Sequence, residues 1–109
     1  MTGSIRKPAS STELARGLDA EDLRRANAAL GTALDPQSEG GEVRWDNAQS
    51  GAKGEFTPVG DAYPKDSKIC RAFFAEVVTK LGETRLQGTG CREKTVEWTI
   101  VEARPWRKG

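Results

Sequence analysis

The stretch CRAFFAEVVTKLGETRLQGTGC, from Cys70 to Cys91, holds both cysteines of the chain and limits what it can fold into more than any other segment. Val77, Val78 and Thr79 before Lys80-Leu81-Gly82, and Thr84 and Leu86 after it, are β-formers around a glycine-containing break, the pattern of an antiparallel hairpin. With Thr79 to Gly82 as a four-residue loop on a type I turn, Gly82 takes a conformation that a residue with a Cβ disfavours. Val78 then faces Glu83. Stepping back along both strands from that pair brings Cys70 opposite Cys91 with no adjustment of register. A three-residue loop with a bulge would instead place Cys70 opposite Arg92, so the four-residue loop is preferred. Facing residues of a non-hydrogen-bonded pair have Cα atoms about 4.5 Å apart, within reach of a disulfide. Such a bond should stabilise by roughly 3 kcal/mol on the chain-entropy view, and it implies an oxidising compartment.

Other uses of the cysteines fit less well. The chain has no histidine, two thiols do not complete a tetrahedral zinc site, and the spacing is not that of a CxxC redox pair. Two buried thiols in a cytosolic protein are the bland alternative. In the same register one face carries Cys70/Cys91, Ala72/Thr89, Phe74/Gln87, Glu76/Arg85 and Val78/Glu83, a half-solvated set with one opposite-charge pair. The other face carries Ile69, Phe73, Ala75, Val77, Leu86, Gly88 and Gly90, with Arg71, Thr84 and Arg92 as its polar members, and reads as the core face. Gly88 and Gly90 leave room there for another element, a helix above all, to approach closely.

Residues 1–17 begin with a polar tether, MTGSIRKPASS, too poor in apolar residues to order itself. From there the spacing changes to helical. Leu23, Ala26, Leu30, Ala33 and Leu34 predict a helix over 20–34, with Asp19 as N-cap, Leu18 and Leu23 as a hydrophobic staple, and Asp35-Pro36 as its end. A looser turn is expected at Thr12 to Arg16. Glu42 to Asp46 alternates as a first strand, and Gly54 to Thr57 returns as a second strand stopped by Pro58. Val59 to Ser67 reads as a loop before the cysteine hairpin. The last strand is expected over Val96 to Val101. Trp45, Phe56, Phe73 and Trp98 then form the aromatic core. The fold class is α+β: an N-terminal helix packed on an antiparallel sheet of about five strands, with one disulfide. The domain spans 18–104, and 105–109 is a tail whose Trp106, Arg107 and Lys108 read as an exposed aromatic beside two cations.

A chain of 109 residues with 36% hydrophobic side chains supports one modest core, and a formal charge of +1 gives no global electrostatic case for nucleic acid. No apolar run is long enough for a transmembrane helix, and Met1 to Ser11 lacks the apolar core of a signal peptide. Export, which the cysteines imply, is therefore expected to depend on a targeting segment upstream of this sequence. Without histidine, Ser, Cys and Asp nucleophiles lack their commonest general base, and Asp46, Asp61, Glu76 and Glu97 are scattered. No catalytic residue, cofactor or metal site is expected. Arg71 and Arg92, each following a cysteine and lying toward one face, are candidates for an anion-binding clamp.

Trp45-Asp46-Asn47, Ser50-Gly51, Gly54, Thr57-Pro58, Cys70-Arg71 with Phe73, Gly88-Thr89-Gly90-Cys91-Arg92, and Trp98 with Ile100 together resemble the C-terminal domain of the rickettsial-type 17 kDa surface antigens. The lead-in Leu18-Asp19-Ala20-Glu21-Asp22, with Arg24-Arg25-Ala26 and Leu30, is similar too, so the likeness covers about residues 18–101. It departs in lacking the glycine-zipper-like segment and lipobox cysteine that usually precede this domain. Lys94-Thr95-Val96 stands in place of the usual Pro-Asp-Gly turn. The resemblance implies a non-enzymatic envelope protein of a Gram-negative bacterium, at the outer membrane or in the periplasm, anchored through an upstream segment and partnered by an envelope protein or cell-wall component. The alternative class is a periplasmic binding module for an anionic small ligand or a cell-wall polymer.

Overall fold

In a computed structural model describing residues 17–38, 40–93 and 97–106, helix α1 (Ala20–Leu34) precedes five strands. These are β1 (Val43–Asn47), β2 (Ala52–Lys65), β3 (Lys68–Thr79), β4 (Gly82–Arg92) and β5 (Thr99–Pro105), forming one antiparallel sheet in sequence order. The expected α+β architecture is therefore present. The tether, the turn at Thr12 to Arg16, Lys94 to Val96, and Arg107 to Gly109 lie outside the described residues.

The hairpin of β3 and β4 has the register argued from the cysteines. Val78 faces Glu83 and Cys70 faces Cys91, bonded with Cα atoms 4.0 Å apart. Gly82 has φ +121°, the positive value that the turn demands of a residue without Cβ. Thr79 and Gly82 also face each other, so the connection tightens to Lys80-Leu81, with the Thr79 hydroxyl accepting from the Leu81 amide.

Helix α1 lies on the face holding Phe73, Ala75, Val77 and Leu86, and Ala26, Ala29, Leu30, Ala33 and Leu34 are buried against it. Phe56 and Phe73 meet edge to face at 5.7 Å between ring centres, and Trp45 is buried beside them. Trp98 packs on the rim of this core and stays half-buried. The two hairpin glycines are both sites of close approach, but to different elements. A Cβ on Gly90 would come 2.5 Å from Leu34 Cδ1 of the helix, as expected. At Gly88 the neighbour is a strand: an added Cβ would collide with the Glu102 carbonyl oxygen of β5.

Three boundaries correct the sequence reading. β2 does not stop at Pro58 but runs to Lys65, and the expected loop at 59–67 is mostly strand. β1 reaches along β2 only as far as the Val43–Phe56 pair, so Pro58 lies on a stretch where, among the described residues, that side has no strand neighbour needing an N–H. The register slips between Val59 and Tyr63, and Asp66 and Ser67, with φ +50° and +68°, close a two-residue hairpin turn. Glu97 and Trp98, expected in the last strand, lie before it; it starts at Thr99 and continues through Pro105. Trp106 is not a loose exposed aromatic: its amide donates to the Arg85 carbonyl at 2.9 Å, and its ring lies 5.1 Å from that of Phe74.

Candidate functional site

The helix is tied to the sheet at both ends by buried polar groups, and these contain most of the conspicuous residues of the sequence. At the N-terminus, Asp19 and Asp22 form a reciprocal cap: the Asp22 amide donates to Asp19 Oδ1 at 2.8 Å and the Asp19 amide to Asp22 Oδ2 at 3.0 Å. The other Asp22 oxygen, Oδ1, reaches into the turn after β1, accepting from Asn47 Nδ2 at 2.8 Å and from Ser50 Oγ at 2.6 Å. Asn47 Oδ1 accepts from the Gln49 amide, and Ser50 Oγ accepts from the Ala52 amide, so the same side chains shape the turn that presents them. Gly51 completes it at φ +82°.

Asp22 is only 1% exposed. Burial pushes its pKa up, but hydrogen bonds from Ser50, the Asp19 backbone and Asn47 outweigh that and hold the carboxyl below the ordinary Asp value. A negative charge in the first turn also suits the partial positive charge of the helix N-terminus. Beside it Glu21, held by Arg24 and then Arg25, is lowered to about 2. Arg25 in turn donates to the Asp46 carbonyl at 2.9 Å, a second link from helix to β1.

The C-terminal end has no basic residue in its last turn, and the missing cation comes from the sheet. Arg71 of β3, 5% exposed, donates through Nη1 to the Asp35 carbonyl and Ser38 Oγ, both at 2.8 Å, and to the Ala33 carbonyl at 3.4 Å. Its Nε donates to the Gly60 carbonyl at 3.0 Å. That carbonyl lies in the irregular stretch of β2 opposite Arg71, so the register slip supplies an acceptor that a regular ladder would not. Ser38 Oγ also donates to the Ala33 carbonyl, closing the cluster. The two buried charges therefore have opposite signs and sit at the helix ends that favour them.

Of the sequence-predicted pair, Arg71 is thus turned inward, with its Nε and Nη1 donors on protein acceptors. Arg92 instead lies with its guanidinium 5.1 Å from the Trp98 ring centre, and its Nε is buried without a hydrogen-bond partner among the described residues. To act as an anion clamp, Arg71 would have to release the helix end. Cys70 and Cys91 are 1% and 5% exposed, a structural bond shielded from solvent. In the sequence Asp22 is simply an acid three residues after the N-cap; the Asx-type turn residues Asn47 and Ser50 are the available sign that a buried acceptor lies opposite them.

Phe56, Phe73 and Trp45 are packed in the core, at 0%, 1% and 7% exposure, with Trp45 also bordering the groove beside it. On the helix-free face an open groove of about 470 Å³ runs past Arg44, Asp46, Lys53, Glu55, Glu76 and Val78, with Arg44 and Glu55 3.5 Å apart and Arg85 3.1 Å from Glu76. Among the described residues no cluster of three His, Cys, Asp or Glu side chains could hold a metal, and no helix is long and apolar enough to cross a membrane.

Comparison with known proteins finds relatives that share one name. The 17 kDa surface antigen of Rickettsia bellii strain RML369-C is 29% identical over 90 residues, covering 82% of this chain and 56% of that protein. Proteins of the same name from Rickettsia conorii and Rickettsia felis are 28% identical over 85 residues, covering 78% of this chain and 54% of theirs. The chain thus spans about half the length of the curated relatives it matches. No family model and no solved structure matches it.

Proposed function

We propose that this chain, a member of the 17 kDa surface antigen family, is a non-catalytic domain displayed in the cell envelope that works as an antigen and interaction module. The observation that carries this reading is the destination of the family-like residues. Asn47, Ser50 and Arg71, with Asp22 of the lead-in, face inward and fix the helix to the sheet. Cys70 and Cys91 fix the hairpin. The motif is that of a scaffold, and contact with other molecules falls to the mixed-charge surface around it. A shielded disulfide across neighbouring strands fits residence outside the reducing cytosol. Outer-membrane or periplasmic residence, anchoring upstream of this sequence, and an envelope protein or cell-wall partner belong to the same proposal.

Treating intact cells with a membrane-impermeant amine reagent tests it. Lys53 and Lys65 are exposed and should be modified before the cell is broken if the domain faces outward, or after the outer membrane alone is opened if it faces the periplasm. Modification only after release of the cytosol would overturn the assignment.

A further inference from the structure

We propose that the outer edge of β5 pairs with the same edge of a second copy, antiparallel about Ala103, making one continuous ten-stranded sheet across two chains. β5 is the terminal strand, so its outer side has no strand neighbour among the described residues. Trp106 donates to Arg85, so by the alternation of an antiparallel ladder the backbone groups of Arg104 and Glu102 also point to β4, and those of Ala103 and the Pro105 carbonyl point outward. An Ala103–Ala103 pair is then a hydrogen-bonded pair in which two copies exchange N–H and C=O groups. Pro105, lacking N–H, still offers its carbonyl.

The side chains select this register and this occupant. Glu102 faces Thr89 and Arg104 faces Gln87 within the sheet, so both project from the helix-free face. Both are exposed, and neither has an ion pair among the described residues. Pairing about Ala103 places each Glu102 directly opposite the other copy's Arg104, twice by symmetry. A register centred on Glu102 or on Arg104 would set like charges face to face, which is unfavourable. An unrelated peptide must bring its own matching charges, whereas a second copy carries them. Val101, 47% exposed, comes opposite the second copy's Pro105 and gains apolar cover. At the other end of the sheet Arg25 occupies the Asp46 carbonyl of β1, so growth stops at a closed two-fold dimer rather than a filament. The irregularity near Ile100 and the proline limit the pairing to a few residues, so the association is weak, as small interfaces are.

Sedimentation of the whole chain from about 10 µM to about 1 mM should show a reversible monomer–dimer equilibrium, since an interface of this size binds weakly. Amide shifts that change on dilution should centre on Glu102, Ala103 and Arg104. Reversing one charge, E102R or R104E, replaces two attractive pairs by two repulsive ones and should weaken dimerisation at least about tenfold. The double exchange E102R/R104E restores complementarity and should restore the dimer. The positions are exposed, and unchanged amide spectra elsewhere confirm that each variant is folded. A monomer throughout the range, a dimer insensitive to E102R, or dilution shifts centred on Val59 and Phe74 would overturn the proposal, as would failure of the double exchange to recover association.

Discussion

Replacing Asp22 by alanine removes a side chain that, seen as part of a helix surface, would matter little. In the structure the change leaves the Asn47 amide, the Ser50 hydroxyl and the Asp19 amide without their acceptor. A buried donor left unsatisfied costs about 1–3 kcal/mol. Ser50 retains a long contact of 3.4 Å to the Asn47 carbonyl, and Asp19 is exposed enough to find water. The Asn47 amide, on a residue 3% exposed, has no such recourse. The sum is a loss of about 3 kcal/mol, a large share of the roughly 5–15 kcal/mol that holds a domain folded. Asp22→Asn keeps the shape but must aim an NH2 group at one set of donors, and should lose about half as much. Urea unfolding with the disulfide intact measures both, through a fall in midpoint of about 1–2 M at unchanged slope for the alanine variant. Asp19→Ala provides the scale for an ordinary cap, about 1 kcal/mol. If Asp22→Ala cost no more than Asp19→Ala, the buried node would not be what docks the helix, and the reasoning would fail.

Other consequences can be checked in the same assay. Arg71→Lys keeps the charge but not the fork that reaches Gly60 on one side and Asp35 and Ser38 on the other, and should cost about 2 kcal/mol despite its conservative appearance. Gly90→Ala drives a methyl into Leu34 and should destabilise by about 1–3 kcal/mol, and the loss should shrink when combined with Leu34→Ala, a non-additivity read from a double-mutant cycle. Stability should also fall with acidification. Asp22 and Glu21 have folded pKa values below their ordinary ones, so their contribution is complete above the normal carboxylate range and drains away as pH drops, for Glu21 down to about 2. In Asp22→Asn the acid-side slope should be shallower. An unchanged slope in urea midpoints between pH 6 and pH 2.5 would contradict the assigned shift.

Legibility from sequence depended on whether a residue's task was local. The hairpin register followed from turn geometry, side-chain alternation and the facing of the two cysteines, and it located the core face. The helix followed from its apolar spacing and from Asp19. The course of β2 beyond Pro58 did not, because Pro58, Gly60, Asp61 and Pro64 are poor strand formers; Pro58 and Pro64 are held by pairing with β3, and the Gly60 carbonyl by Arg71. Tertiary pairing overrode local preference. The length of β5 was hidden for a similar reason: its last residues are held by β4 and by Trp106 on Phe74. Arg71 was identified as a special residue, but not its bonding. Its alternation onto the core face was visible, whereas the helix carbonyls it satisfies came from a segment distant in sequence. Asp22 was obscured because an acid near a helix start has a sufficient local explanation; only the turn around Asn47 and Ser50 gives it a second one.

The most direct test takes the protein from its own cells with free thiols blocked at the moment of lysis, followed by proteolysis without reduction and mass analysis. The account predicts a linked pair of peptides carrying Cys70 and Cys91, found in the envelope fraction, with no blocked cysteine at either position. Recovery of both cysteines as blocked thiols would contradict the covalent hairpin in the living cell and the residence outside the cytosol inferred from it.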